Sequence, residues 1–220
     1  MKERFNNFSE KKNELFKMLF EKGWKKNLNS SDIEDVVNNF IDKYNFKEKD
    51  KPFIVNHIRV ALGLDPVENT ENIKYDKLIS QLNNLEEVES PILTKIDDPC
   101  QYCDSSDILD LSCMESCKYE ALIYKKGKGP MIDREECLSC GKCVNECKCG
   151  ALTNKIEVMP FVEDLKDDNK KIYAAVAPSI VGQFGQDISM AQLRTAFTRL
   201  GFTDMIEVAL FADILTIKEA

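Results

Sequence analysis

Hydrophobic positions in residues 1–95 recur at helical spacing and predict a series of amphipathic helices. From about Ser9 to Lys22, Leu15, Phe16, Met18 and Leu19 turn partly inward. Gly23 is expected to end that helix, because glycine accepts the left-handed conformation after a last turn. Asp32–Tyr44 has the clearest pattern, with Ile33, Val36, Val37, Phe40, Ile41 and Tyr44 on one face. Ser31-x-x-Glu34 has the spacing of a capping box at its start. A third helix is predicted from Pro52 to Gly63, carrying Ile54, Val55, Ile58, Ala61 and Leu62. Pro52 suits its first turn, and Pro66 lies beyond its stop. A fourth, about Asn72–Leu85, groups Tyr75, Leu78, Ile79 and Leu82.

The period then changes. Ala121–Tyr124 and Pro130–Asp133 flank Lys-Lys-Gly-Lys-Gly and predict a hairpin, and Ala151–Val158 reads as a further strand. Pro160–Lys170 is an acidic connector containing Glu163, Asp164, Asp167 and Asp168. Ile172–Ala177 is an apolar run closed by Pro178, which predicts a buried strand. Ser189–Leu200 reads as a helix with Leu193, Ala196, Phe197 and Leu200 inward and Gly201 as its stop. Ile206–Val208 suggests a strand, and Ala209–Ala220 begins another helix with Ile214, Leu215 and Ile217 apolar. The expected fold class is α+β. A helical N-terminal region spans 1–95, a small cysteine-bearing unit 97–158, and an incomplete α/β segment 171–220.

Composition narrows the function classes. The 220 residues are 43% hydrophobic and 31% charged, with no apolar run of the roughly 18 residues that a membrane span needs. The N-terminus, Met-Lys-Glu-Arg-Phe-Asn-Asn, has no apolar stretch behind it and does not resemble a secretory signal. A cytoplasmic protein is expected, with neither a membrane nor nucleic acid as partner. The net charge of −8 argues against nucleic acid and suits docking to a basic redox protein. Residues 1–95 offer no catalytic constellation. The single histidine, His57, is read as a helix-face residue rather than a ligand.

Nine cysteines remain to be explained. They bunch between positions 100 and 149, their number is odd and no signal precedes them, so metal ligation fits better than disulfides. Cys137-x2-Cys140-x2-Cys143-x3-Cys147 places three thiols at two-residue gaps and a fourth after three more, the spacing that wraps an iron–sulfur cubane. Cys100-x2-Cys103-x9-Cys113-x3-Cys117 is looser, and its nine-residue insert departs from the tight pattern. Both runs end alike, Cys117-Lys-Tyr-Glu-Ala-Leu122 and Cys147-Lys-Cys-Gly-Ala-Leu152. That echo implies a duplicated half, each running strand, cluster loop, short helix, strand, and hence two [4Fe–4S] clusters. Zinc is the alternative, but it takes four ligands around one ion, usually from two well-separated pairs. About sixty residues bury little core, so such clusters would complete it and the metal-free form would fold poorly.

The second run resembles those of bacterial two-cluster ferredoxins, in which the fourth cysteine of each run serves the other cluster. That resemblance implies one cluster on Cys137, Cys140, Cys143 and Cys117. It implies a second on Cys100, Cys103, Cys113 and Cys147, within a ferredoxin-like βαββαβ module. Cys149 is left over as a non-ligand. Lys118 and Lys148 stand where such runs usually have proline, and Lys142 lies inside the second run. Close to a cluster these ammonium groups would raise its potential, and pointing to water they would be screened. Lys142 is expected to face water.

Lys171-Ile-Tyr-Ala-Ala-Val-Ala-Pro-Ser-Ile180, then Phe184-Gly185, Gln192-Leu-Arg-Thr-Ala-Phe-Thr-Arg-Leu-Gly-Phe202 and Glu207-Val-Ala-Leu-Phe-Ala-Asp-Ile214, resemble the start of the catalytic domain of [FeFe]-hydrogenases. A two-cluster module directly upstream matches that family's order, so the resemblance covers about residues 97–220. It implies that Ala177, Pro178 and Ser179 line the pocket of a diiron active-site cluster, provided the protein continues past Ala220. Read from the residues alone, Pro178 ends a strand and Ser179 caps a turn. The family's active-site cluster is held by cysteines in later motifs, and this sequence has no cysteine after Cys149. The chain alone is therefore expected to be inactive as a hydrogenase. Three readings follow: the N-terminal part of a hydrogenase relaying electrons from a ferredoxin or oxidoreductase partner, a free-standing ferredoxin-like carrier, or a sensory relative without turnover.

Overall fold

The computed structural model describes residues 8–25, 27–67, 74–85, 87–96, 112–125, 128–156, 158–159, 162 and 164–219. It is an α+β structure that divides into two compact units, Met1–Pro160 and Phe161–Ala220. Among the described residues, no helix is long and apolar enough to cross a membrane.

In the first unit, α1 (Phe8–Lys25) runs through Gly23 instead of ending there. A Cβ on Gly23 would sit 2.5 Å from Met159 Cε, so close approach rather than chain reversal is what the glycine allows. Helix α2 (Ser30–Lys43) starts before the predicted box at Ser31 and Glu34. Asn29 caps it: the Asp32 amide donates to Asn29 Oδ1 at 3.1 Å, and the Asn29 amide donates to Asp32 Oδ2 at 3.3 Å. Asp32 is buried and also meets Lys22 at 3.4 Å, a tertiary tie that Glu34 does not have. The predicted inward residues Leu15, Leu19, Ile33, Val36, Val37 and Phe40 are all buried.

Helix α3 (Lys51–Ala61) has proline in its first turn as expected, but it is buried on every side from Phe53 to Ala61. Its polar residues are accommodated one at a time. Asn56 exchanges two 3.0 Å hydrogen bonds with the Val67 backbone, and Arg59 donates to the Asp65 carbonyl at 2.8 Å. The His57 ring lies 4.4 Å from Phe8 and 4.5 Å from Phe53 between centroids, and among the described residues neither ring nitrogen has a hydrogen-bond partner. Burial holds its imidazole well below the ordinary pKa, and the Lys12 ammonium adds to that. Helix α4 (Tyr75–Asn83) buries Leu78 against this layer.

Strand β1 (Leu93–Lys95) follows, then α5 (Ser112–Glu115), β2 (Leu122–Lys125), β3 (Gly129–Ile132), α6 (Lys142–Glu146) and β4 (Leu152–Asn154). Strands β2 and β3 form the predicted hairpin, antiparallel with Ile123 opposite Met131. Strand β4 is shorter than Ala151–Val158 and pairs antiparallel with β1, Thr94 opposite Thr153. Residues 1–95 and the cysteine loops thus share one unit. The Ile156 amide donates to the Val60 carbonyl at 3.1 Å, and the buried Lys155 meets Asp65 at 3.2 Å.

The tightest seam is at Gly150. The Phe8 amide donates to the Lys148 carbonyl at 3.4 Å, and the Phe8 ring rests on Gly150. A Cβ there would fall 2.5 Å from Phe8 Cδ1, and Gly150 has φ +76°, so both the space and the backbone call for glycine.

In the second unit, β5 (Tyr173–Val176) pairs parallel with β6 (Asp204–Glu207). Between them lie a 3-10 turn at Pro178–Ile180 and α7 (Met190–Arg199), capped by a Ser189–Gln192 box. Ala174, Val176, Leu193 and Met205 form the core. The predicted buried strand is covered on one face only: Tyr173 and Ala175 face outward. Ala196 and Leu200 are exposed instead of inward, because a two-stranded sheet is too narrow to cover that side of α7. Helix α8 (Val208–Glu219) keeps Leu210, Phe211, Leu215 and Ile217 exposed.

Gly150→Ala should lower stability by about 2–4 kcal/mol, combining a left-handed backbone penalty with overpacking. In a Phe8→Ala background the overpacking part should disappear, which a double-mutant cycle in urea measures. His57 gives a pH signature. With its folded pKa depressed, the unfolded chain binds the extra proton, so stability falls as pH drops below about 6.5, by up to about 1.4 kcal/mol per pH unit. His57→Phe should flatten that slope between pH 5 and 6.5.

Candidate metal centre

The loop from Cys137 to Cys147 is shaped by its backbone. The Cys137 amide donates to the Asp133 carbonyl at 3.1 Å, closing the turn after β3. Ser139 (φ +54°) and Gly141 (φ +79°) are both left-handed, and α6 starts immediately afterwards with Cys143 in its first turn. The Ser139 hydroxyl accepts from the Ile92 amide at 3.1 Å, which ties the strained turn to the approach of β1. The amides of residues 138–143 donate to no protein group among the described residues. A run of undonated amides with left-handed residues interspersed is a backbone concavity suited to an anionic group.

Cys117, Cys137, Cys140 and Cys143 line one pocket that is partly open to solvent, with Leu93, Leu122, Ile132 and Leu138 as apolar walls. Cys143 is buried and Cys140 is exposed at the rim. Burial pushes the Cys143 thiol up to about 11, and the Cys117, Cys137 and Cys140 sulfurs each add to the rise. Cys117 comes from the first cysteine run, and the fold carries it to the other three. Among the described residues, no three cysteine, histidine or carboxylate side chains converge as the ligands of a single ion do. A tetrahedral zinc would need sulfurs about 3.8 Å apart, given a zinc–sulfur bond of about 2.3 Å. Four thiols lining one apolar pocket are a soft donor set, the kind that takes iron–sulfur clusters or zinc.

Cys113, Cys147 and Cys149 are buried together with Ala151 and Leu152. Cys100 and Cys103 lie outside the described residues. The Leu152 amide donates to Cys147 Sγ at 3.2 Å, and Cys149 Sγ lies 3.9 Å from the same atom. Cys149 and then the amides at Leu152, Gly150 and Ala151 hold the Cys147 thiol down to about 6, against its burial. Lys12 reaches in from α1, its Nζ 2.8 Å from Asn154 Oδ1 and 3.2 Å from Thr153 Oγ1. Burial holds its pKa below the ordinary value, and the neighbouring Cys147 works in the opposite direction.

Lys118, Lys142 and Lys148 are all exposed, and Lys142 lines the rim of the four-cysteine cavity. Lys12 approaches the buried Cys147, and no local pattern in its sequence marks it. Ala177, Pro178 and Ser179 are exposed at the end of β5, where the Ser179 carbonyl accepts from Gln183 Nε2 at 3.1 Å.

Residues 170–220 match the family described as "Iron only hydrogenase large subunit, C-terminal domain". The chain is also similar to the NADP-reducing hydrogenase subunit HndD of Solidesulfovibrio fructosivorans, at 29% identity over 90 residues. That alignment covers 38% of this chain and 15% of the relative, so the chain spans only a small part of that protein's length. The chain is a relative of the iron-only hydrogenases.

A Cβ on Gly141 would meet nothing within 4 Å, in contrast to Gly150. Gly141→Ala should therefore cost only the left-handed backbone term, about 1–2 kcal/mol. Urea unfolding of the two glycine variants side by side should rank Gly150→Ala as the more damaging.

Proposed function

We propose that this relative of the iron-only hydrogenases relays single electrons through two [4Fe–4S] clusters held in a ferredoxin-like module at residues 97–158. The observation that carries the reading is the gathering of the Cys117, Cys137, Cys140 and Cys143 sulfurs around one apolar cavity. The element order β1-α5-β2-β3-α6-β4 supports a duplicated half with crossed ligands. Kinship with iron-only hydrogenases supports iron–sulfur chemistry in general. In this reading Cys117, Cys137, Cys140 and Cys143 hold the first cluster, and Cys100, Cys103, Cys113 and Cys147 hold the second.

A bound cluster supplies one-electron redox chemistry. The chain's own groups do the rest. The undonated amides of 138–143 would be available to a negative charge that grows on reduction, Leu93, Leu122 and Ile132 would give the cluster an apolar wall, and Lys12 would set a positive charge near Cys147. The partner is a redox protein, a ferredoxin or an oxidoreductase. Residues 1–95 form the helical region that packs on the cluster loops, and 171–220 begin a hydrogenase-like catalytic domain. Ala177, Pro178 and Ser179 would line its pocket in a longer protein that supplies the active-site cysteines.

Anaerobic reconstitution with iron and sulfide should give about eight irons per chain and two EPR-active centres on reduction. Cys137→Ala should remove one centre and Cys113→Ala the other. Two zinc ions with no reducible centre would overturn the reading. The 220-residue chain should evolve no hydrogen, since residues 150–220 contain no cysteine.

A further inference from the structure

We propose that Cys149 is a positioning residue that donates its S–H to the Cys147 sulfur and so raises the reduction potential of the cluster that Cys147 holds. The inference rests on the relay reading, in which Cys147 is a ligand. Cys149 is buried at 5% exposure, and its Sγ lies 3.9 Å from Cys147 Sγ. The Leu152 amide already points at that sulfur from 3.2 Å. A ligating cysteine is a thiolate, which has lost its proton and can only accept. The single proton in the sulfur–sulfur contact is then on Cys149, which fixes the direction of the bond.

The same geometry argues against Cys149 as an additional ligand. The thiolates of a cubane each bind a different iron, whereas about 3.8 Å is the spacing of two sulfurs on one tetrahedral metal with bonds of about 2.3 Å. Cys149 would compete with Cys147 for one corner.

The duplication makes the donor one-sided. Cys117-Lys-Tyr119 aligns with Cys147-Lys-Cys149, and Tyr119 is 49% exposed. Only the Cys147 side has a buried S–H at this position. Reduction adds negative charge to the cluster, and hydrogen bonds to its sulfurs stabilise that charge. The donor therefore raises the potential of the Cys147 cluster above the value it would have without that S–H.

The test uses the full chain, reconstituted anaerobically as wild type, Cys149→Ala, Cys149→Ser and Cys147→Ala. Iron and acid-labile sulfide are counted, and EPR-monitored redox titration gives the midpoints. Cys149→Ala should keep wild-type iron and move one of the two midpoints downward. Cys149→Ser retains a hydroxyl donor and should move it less. Cys147→Ala should alter that same centre. Unmoved midpoints in Cys149→Ala overturn the inference while leaving the relay reading intact. Loss of about half the iron in both Cys149 variants also overturns it, by making Cys149 a ligand. A wild-type chain with no reducible centre, or Cys147→Ala with both centres unaltered, overturns the relay reading and this inference with it.

Discussion

A phenyl ring seated on a residue with no side chain fixes where the helical layer meets the cysteine loops. Phe8 fills the space a Cβ at Gly150 would need, and its amide binds the Lys148 carbonyl. From that seat the ring touches Phe40, Phe46, Phe53 and His57, so one side chain belongs to both the helical core and the turn after Cys147. The position of α1 follows from it. So does Lys12, one helical turn on from Phe8, which is thereby brought to β4 and to the neighbourhood of Cys147.

That seat also distinguishes Cys147 from Cys140, a member of the same run. The set with Cys140 opens to solvent, and apolar Leu138, Tyr119 and Ile123 are exposed in the same half. Cys113 and Cys147 are buried, and Lys12 and the ring of Phe8 lie against the loop that carries Cys147. Cysteines of one run therefore have unequal surroundings. The difference comes from a segment more than a hundred residues earlier in the chain, not from the runs themselves.

Where the sequence was legible, the cause was local. The β2–β3 hairpin and the start of α3 follow from turn glycines and a first-turn proline, and the inward faces of α1 and α2 follow from their period. Local rules failed where tertiary contact decided. Asn29 displaced Ser31 as the cap because Asp32 is also anchored by Lys22. Gly23 stayed helical because Met159 needs the room. Helix α3 is buried all round although only one face is strongly apolar, since Asn56 and Arg59 each find backbone carbonyls. The gathering of Cys117 with the second run was implied by resemblance, whereas the approach of Lys12 and the burial of Cys149 had no signal at all.

The core of the cysteine unit shows why this arrangement depends on its neighbours. Among the described residues, Cys113, Cys143, Cys147 and Cys149 make up half of its hydrophobic cluster, beside Leu93, Leu122, Ala151 and Leu152. Thiols bury less apolar surface than the leucines a domain of this size would otherwise use, and two two-stranded sheets add little more. Two things offset that deficit. In the proposed relay, metal–thiolate bonds would make binding part of folding, and the helical layer contributes an aromatic core of its own. The N-terminal helices are thus part of the centre's structure, because they supply the burial that ligand-rich loops cannot supply for themselves.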